Sequence, residues 1–516
     1  MSESAQRSLL IRNVRMVPVG IDRRGHTPDH TTVPRRPVDL RIRDGVVAEI
    51  GPGLARAGED EYDADMRFAA PGLWDAHVHW DQWAQTLTRV DVSGSASADD
   101  LVAILARELP HRPDDGATVF GFGHRSALWP APATVAQLDA VSDGRPVVLI
   151  SGDAHNGWLN SRALEILGLS PREGVMEERE WFDTLARLDE LPGARAQAAA
   201  GAAGAFELAA RKGVVGIVDM EFGAPFLAWP GRVSAGATGL RVRAATYPDH
   251  LDAAIAARLR TGQALEGGAG LVRMGPLKII SDGSLNTRTA RCVDPYPDAH
   301  GLADPYGVTN YEQDELTELL ARAHAHGIEA AVHAIGDAAV GSAIDAFAAT
   351  GARGSIEHLQ LLAYRDIPRL AKYGLTASMQ PAHLLDDRDV TARVWPDRKN
   401  RCFMTYSLIA EGITVALGSD APVSPLDPWL AMSAAVFRSA DERTQWNSTE
   451  AITAAQAFAC STDGRGTLAP GAPGDVILLE ADPTEELGDA RDMGVMLGGM
   501  VVDMTVVDGR VTHLDL

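Results

Sequence analysis

The chain has 516 residues, 46% of them apolar and 23% charged, and this balance excludes a disordered, collagen-like or coiled-coil protein. At roughly 100–200 residues per domain, the length suits a large barrel with an accessory domain. Against 47 Lys and Arg stand 70 Asp and Glu, a formal charge of −23 that repels phosphate backbones and anionic headgroups, so neither nucleic acid nor a membrane is an expected partner.

The start, Met1-Ser-Glu-Ser-Ala-Gln-Arg, lacks the basic and apolar regions of a signal peptide, and no apolar run approaches the roughly 20 residues of a membrane span. Three cysteines, Cys292, Cys402 and Cys460, are odd in number and form no CxxC pair, which argues against a disulfide framework or a thiolate zinc site. A cytoplasmic chain is expected. Residues 38–50 then alternate as a hairpin around Asp44-Gly45.

From residue 71 onward come eight short apolar runs that stop at polar residues: 72–79, 213–220, 240–247, 272–282, 328–337, 354–360, 374–381 and 413–422. Segments of helical period separate most of them, such as 311–327, so strand alternates with helix and the expected core is a (β/α)₈ barrel over 71–465. The chain between His79 and Gly213 is longer than one helix requires, which implies an insertion at about 85–210 after the first strand, with a strand near 146–153 and an Ala-rich helix at 194–210. Near the C-terminus, 474–483 and 501–513 are again strand-like, with an Asp508-Gly509 turn. Residues 1–70 and 466–516 are therefore expected to form one small β-sandwich.

His77 and His79, two apart at the end of the first strand, face the same side and can chelate a metal, although an isolated HxH is common. His333 ends the fifth strand, His358 the sixth and Asp420 the eighth, at the carboxyl ends where barrels carry their chemistry. Lys278 lies in an apolar strand of a chain with four lysines, where an ammonium must be paired or neutralised. A neutral amine there reacts with carbon dioxide to give a carbamate able to bridge two metals; pairing with Asp282 or with a substrate carboxylate is the alternative.

The segments PGLWDAHVHW (71–80), LKIISDGSLNTRTA (277–290), VHAIGDAAV (332–340), IEHLQ (356–360), SMQPAH (378–383) and LGSDAPV (417–423) resemble the metal-dependent amidohydrolases, specifically the amidohydrolase-3 group with its YtcJ-like and N-substituted formamide deformylase-like members. The resemblance runs over nearly the whole chain. It implies that His77, His79 and Asp420 bind the more buried of two divalent ions, that His333 and His358 bind the second, and that carboxylated Lys278 bridges them. Zinc suits these nitrogen and oxygen donors. It further implies a small-molecule substrate and association into a homodimer.

On that reading a water shared by two cations becomes a hydroxide near neutral pH, and Asp420 orients it and passes its proton to the leaving nitrogen. His383, ending the seventh strand, would bind the carbonyl or the oxyanion, or serve the fold. SGDAHNGWLNSRAL (151–164) resembles the family segment in which Asp153, His155 and Asn160 cover the pocket, with loop ordering as the other role. Arg288 would clamp an acidic group or fix its loop. His124 stands where relatives often carry Trp before an acidic residue, and Trp74, Trp80, Trp83, Trp129 and Trp158 would line an aromatic pocket or belong to the core. The expected function is hydrolysis of a non-peptide C–N bond in an amide, N-substituted formamide or cyclic amide. The alternatives are a lactone or ester hydrolase and a non-catalytic scaffold; scaffolds typically lose metal ligands, whereas all six positions are filled here.

Overall fold

The computed structural model describes residues 7–20, 33–113, 115–126, 129–152, 156–300, 302 and 304–516, and what is said below to be absent is absent among these. The hairpin expected near the start pairs Val38–Arg43 with Val46–Gly51. Its turn residues Asp44 and Gly45 have φ of 51° and 77°, the left-handed pair that a two-residue turn between twisted strands requires. Asp508 and Gly509 repeat that geometry at 52° and 76° between Val502–Val507 and Arg510–Leu514.

The two termini meet where Phe68–Pro71 pairs antiparallel with Val476–Leu479. The sheet they share runs Arg510–Leu514, Val502–Val507, Val476–Leu479, Phe68–Pro71, Leu9–Met16, Val38–Arg43 and Val46–Gly51, with Asp60–Asp63 added beside Leu9–Met16. Alternate residues of these strands, including Ile11, Leu40, Ile42, Val476, Leu478, Met504 and Val506, are buried together as one apolar core.

All eight barrel strands are present: β1 (Leu73–Val78), β2 (Val214–Asp219), β3 (Arg241–Thr246), β4 (Val272–Ile280), β5 (Ala330–Ala334), β6 (Gly354–His358), β7 (Thr376–Met379) and β8 (Val415–Leu417). Each pairs parallel with the next, and a parallel bridge from Val78 to Ala421 brings the first strand to the last, so the barrel is nearly closed. Met220 just after β2, Ala245 of β3 and Ala331 of β5 are buried together as a small apolar cluster. The helix expected at 311–327 spans Gln313–Ala325 and starts at a capping box between Glu312 and Glu315.

The chain divides into two compact units, residues 1–79 with 206–516, and residues 80–205. The first holds both the terminal sheet and the barrel. The second carries its own five-stranded sheet, in the order Met176–Glu177, Asn156–Leu159, Val147–Ser151, Val119–His124 and Val90–Asp91. No helix is long and apolar enough to cross a membrane. The three cysteines are free, with Cys292 and Cys402 buried.

Candidate metal centre

The strand ends of the barrel place several donors together. His77 at the end of β1, His358 at the end of β6 and Asp420 beyond β8 are all buried and bring one ligand atom each to within 4.8 Å of one another. His79 Nε2 and His77 Nε2 each lie 3.4 Å from Asp420 Oδ1, and the His77 and His79 rings are 5.6 Å apart. The His358 ring sits 5.0 Å from that of His77 and 4.6 Å from that of His333. From β4, Lys278 Nζ donates to His77 Nε2 at 2.9 Å.

Local backbone geometry creates this convergence. Asp75, buried on the same face of β1 as His77, accepts from the amides of His77 and Ser419 through Oδ1, each at 3.0 Å, and so ties β1 to the loop after β8. Gly418 is needed at that contact, since a Cβ there would stand 2.7 Å from the His77 nitrogen. Asp420 N then donates to His77 O at 2.7 Å, and His79 N donates to Ala421 O at 2.9 Å. His358, Leu359 and Asp420 have φ of 73°, 46° and 56°, conformations that non-glycine residues adopt rarely and at a cost.

Charge is arranged for neutral imidazoles and an ionised carboxylate. Burial, helped by Lys278, pushes His77 down to about 4, and burial with neighbouring His333 pushes His358 well below its ordinary value. Burial alone would raise the Asp420 carboxyl, but His77, His79 and His358 outweigh it and hold it well below the usual range. Burial also lowers Lys278, against the opposing pull of Glu357 and Asp420. His77 Nδ1 donates to Glu357 Oε2 at 2.8 Å, which fixes the tautomer with the Nε2 lone pair facing inward.

The residues fit a divalent cation. His79 Nδ1, His358 Nδ1 and His383 Nε2 are buried with no hydrogen-bond partner among the described residues, a costly state for imidazoles that nothing ligates. The donor set, nitrogen and carboxylate oxygen without thiolate, suits borderline ions such as zinc. The tight grouping of His77, His358 and Asp420 cuts across the two ligand sets implied by the resemblance. His333 stands beside His358, but its Nε2 faces Gly283 O at 3.2 Å and Asp282 Oδ1 at 3.4 Å. His383 begins the helix His383–Val394, with Nε2 at 3.8 Å from Asp420 Oδ2.

Other expected contacts take structural places. Asn160 caps the helix Ser161–Ile166: its side-chain oxygen accepts from Ala163 N and Val147 N, and its amide donates to Ser142 Oγ and Arg145 O. Every polar atom of that side chain is thereby used, which corrects the substrate-contact reading. Arg288 donates to Asp298 O at 3.1 Å and holds its own loop. His124 is wholly buried with its ring 5.5 Å from that of Trp129, and Asp153 and His155 lie outside the described residues.

The tryptophan pocket is also corrected. Trp80 is buried edge-on against Trp83, Trp158 is buried and donates to Thr134 O, and Trp129 donates to Ser95 O. Trp74 packs in the core with Val215, Leu271 and Val507, and Arg243 stacks on it at 4.6 Å. Sequence reasoning missed the aromatic residue that does adjoin the histidines, Phe222, whose ring lies 5.3 Å from those of both His79 and Tyr247. It also missed Glu357 and Asp75. Each is a carboxylate inside an apolar run, which marks a buried charge without showing what it pairs with.

Parallel barrels that gather buried imidazoles and a carboxylate beyond their strand ends are an architecture of metal-dependent hydrolases. The chain belongs to the amidohydrolase family, whose model matches residues 60–513. It is 27% identical to the putative amidohydrolase YtcJ of Bacillus subtilis (strain 168) over 92% of this chain and 95% of that one. It is 24% identical to the N-substituted formamide deformylase of Arthrobacter pascens over 91% and 93% of the two chains. In fold it is similar to an uncharacterized metal-dependent hydrolase from Pyrococcus horikoshii OT3, with a TM-score of 0.75 and 24% identity over 93% of this chain and 98% of that one.

Proposed function

We propose that this chain hydrolyses a non-peptide C–N bond of a small molecule, an amide, N-substituted formamide or cyclic amide, at a centre of two divalent ions, with zinc the favoured metal. The observation that carries the reading is the buried grouping of His77, His358 and Asp420, with His79 and Lys278 against it, at the carboxyl ends of the barrel strands. The name of the Arthrobacter relative, a formamide deformylase, supports the choice of a C–N bond.

Bound divalent ions supply Lewis acidity toward the substrate carbonyl and make water a better acid. The chain's own groups do the rest. Asp420, held ionised among imidazoles, takes a proton from the attacking water and delivers it to the leaving nitrogen as the C–N bond breaks, so that amide and water become acid and amine. His383 Nε2 supplies a hydrogen bond to the carbonyl oxygen and to the oxyanion it becomes. Lys278, buried and shifted toward the neutral amine, would be the residue to form a carbamate and help hold the ions.

Elemental analysis of protein purified without chelator, followed by a panel of N-formyl amines, aryl amides, cyclic amides, esters and lactones, tests the reading. About two ions per chain and turnover of C–N substrates are expected. His77→Ala and Asp420→Asn should retain the fold but lose at least about a thousandfold in kcat/KM, or roughly 4 kcal/mol. Lys278→Ala should lose metal and recover part of its activity with added acetate, and ¹³C-bicarbonate should give a carbamate signal in the wild type only. Turnover confined to esters and lactones would overturn the C–N assignment, and a chain that holds no metal after reconstitution would overturn the whole reading.

A further inference from the structure

Beside His79 lies an aromatic group that the proton-transfer chemistry does not use. Phe222, on the turn after β2, is 58% exposed, yet its inner face meets the His79 and Tyr247 rings at 5.3 Å each. Its backbone is pinned on both sides. Met220 N donates to Val78 O at 2.8 Å, Tyr247 N donates to Gly223 O at 3.2 Å, and the Tyr247 hydroxyl donates to Met220 O at 2.9 Å. Gly223, at φ 86°, makes the turn that sends the chain on after Phe222. The loop after β8, tied to the His79 amide through Ala421 O, carries Val423, also 58% exposed.

An exposed apolar side chain standing alone needs no explanation. Phe222 stands against a candidate metal ligand on tied backbone and keeps much of its surface open, and Val423 lies two residues beyond the Ala421 carbonyl that the same ligand's amide binds. We propose that Phe222, with Val423, is the specificity surface of the site and selects substrates that carry an uncharged aromatic substituent near the scissile carbonyl; this rests on the hydrolase reading above. The substituent lies against the open face of the Phe222 ring, where aromatic contact adds to burial. An anionic substituent is disfavoured, because the Glu221 carboxylate accepts from the Phe222 amide at 3.0 Å and Asp219 accepts from the Glu221 amide at 3.0 Å, so two carboxylates belong to the turn that carries the ring. Phe222 is thus a substrate-contact residue that leaves metal binding to its neighbours.

The test is ligand-observed NMR titration of acetanilide, N-methylacetamide and 4-acetamidobenzoate against the metal-loaded wild type, Phe222→Ala and Phe222→Tyr, with metal content measured in each. Acetanilide should bind the wild type more tightly than either other probe. Phe222→Ala should weaken acetanilide roughly 3- to 10-fold at unchanged metal content, with N-methylacetamide unaffected, and Phe222→Tyr should restore the preference. Equal binding of acetanilide by the wild type and Phe222→Ala, no binding of acetanilide to the wild type, or a preference for the carboxylate probe would each overturn the proposal. Failure of the hydrolase reading has a different signature: absence of metal, or no turnover of any carbonyl substrate by metal-replete wild type.

Discussion

Glu357 decides which nitrogen of His77 faces the other donors. It is itself buried and held ionised, since burial would raise it but the His77 hydrogen bond and Lys278 lower it, and the Ser355 hydroxyl donates to its other oxygen. Gln at this position keeps an acceptor for His77 Nδ1 but removes the charge that favours the tautomer. Glu357→Gln should therefore weaken metal binding by 10- to 100-fold, read by competition with a chelator, with little change in melting temperature of the metal-free protein. Unchanged metal affinity would remove Glu357 from the account. His77, His358 and Asp420 were legible as candidate ligands, though not as one tight group, because polar residues ending apolar strands stand out from them. Glu357 was not, because alternation along β6 sends it to the face opposite His358. The left-handed φ values of His358 and Leu359 break that alternation, and no residue pattern announces such a break.

Strands and helices were legible where periodicity and turn chemistry agree, as in the eight barrel strands and the two Asp-Gly hairpins. What a polar side chain does within an element was less so. Asn160 lies in a segment that resembles a pocket cover, yet it joins a helix start to the strand Val147–Ser151 by four hydrogen bonds. Its role follows from where Val147 and Ser142 lie in space, 13 and 18 residues away in sequence. Asn160→Ala removes the cap and leaves the buried Val147 amide unpaired, so it should destabilise the 80–205 unit by about 2–3 kcal/mol. Chemical denaturation followed by tryptophan fluorescence measures this, and a change below about 0.5 kcal/mol would restore a functional reading of this side chain.

Across the whole molecule the pairing of the two chain ends could be read from β-branched runs at both termini, but the tie between their sheet and the barrel could not. That tie is made by residues with no shared motif. Arg241, at the start of β3, donates to Asp475 Oδ2 at 2.6 Å, and Asp475 Oδ1 accepts from Asp508 N at 2.8 Å inside the terminal hairpin. Trp74 and Val215 from the barrel pack with Leu271 and Val507, and Thr505 Oγ1 donates to Ala210 O. The Asp475 side chain is fully buried, so Asp475→Ala strands Arg241 with only the 3.2 Å contact to Asp508 and should cost about 3 kcal/mol. If sheet and barrel fold as one unit, that loss appears as a single transition at lower denaturant, and hydrogen exchange accelerates together in Val476–Leu479 and in β2. Two separated transitions, with β2 keeping its protection while Val476–Leu479 loses it, would mean instead that the terminal sheet is an independent domain and that the metal-binding barrel stands without it.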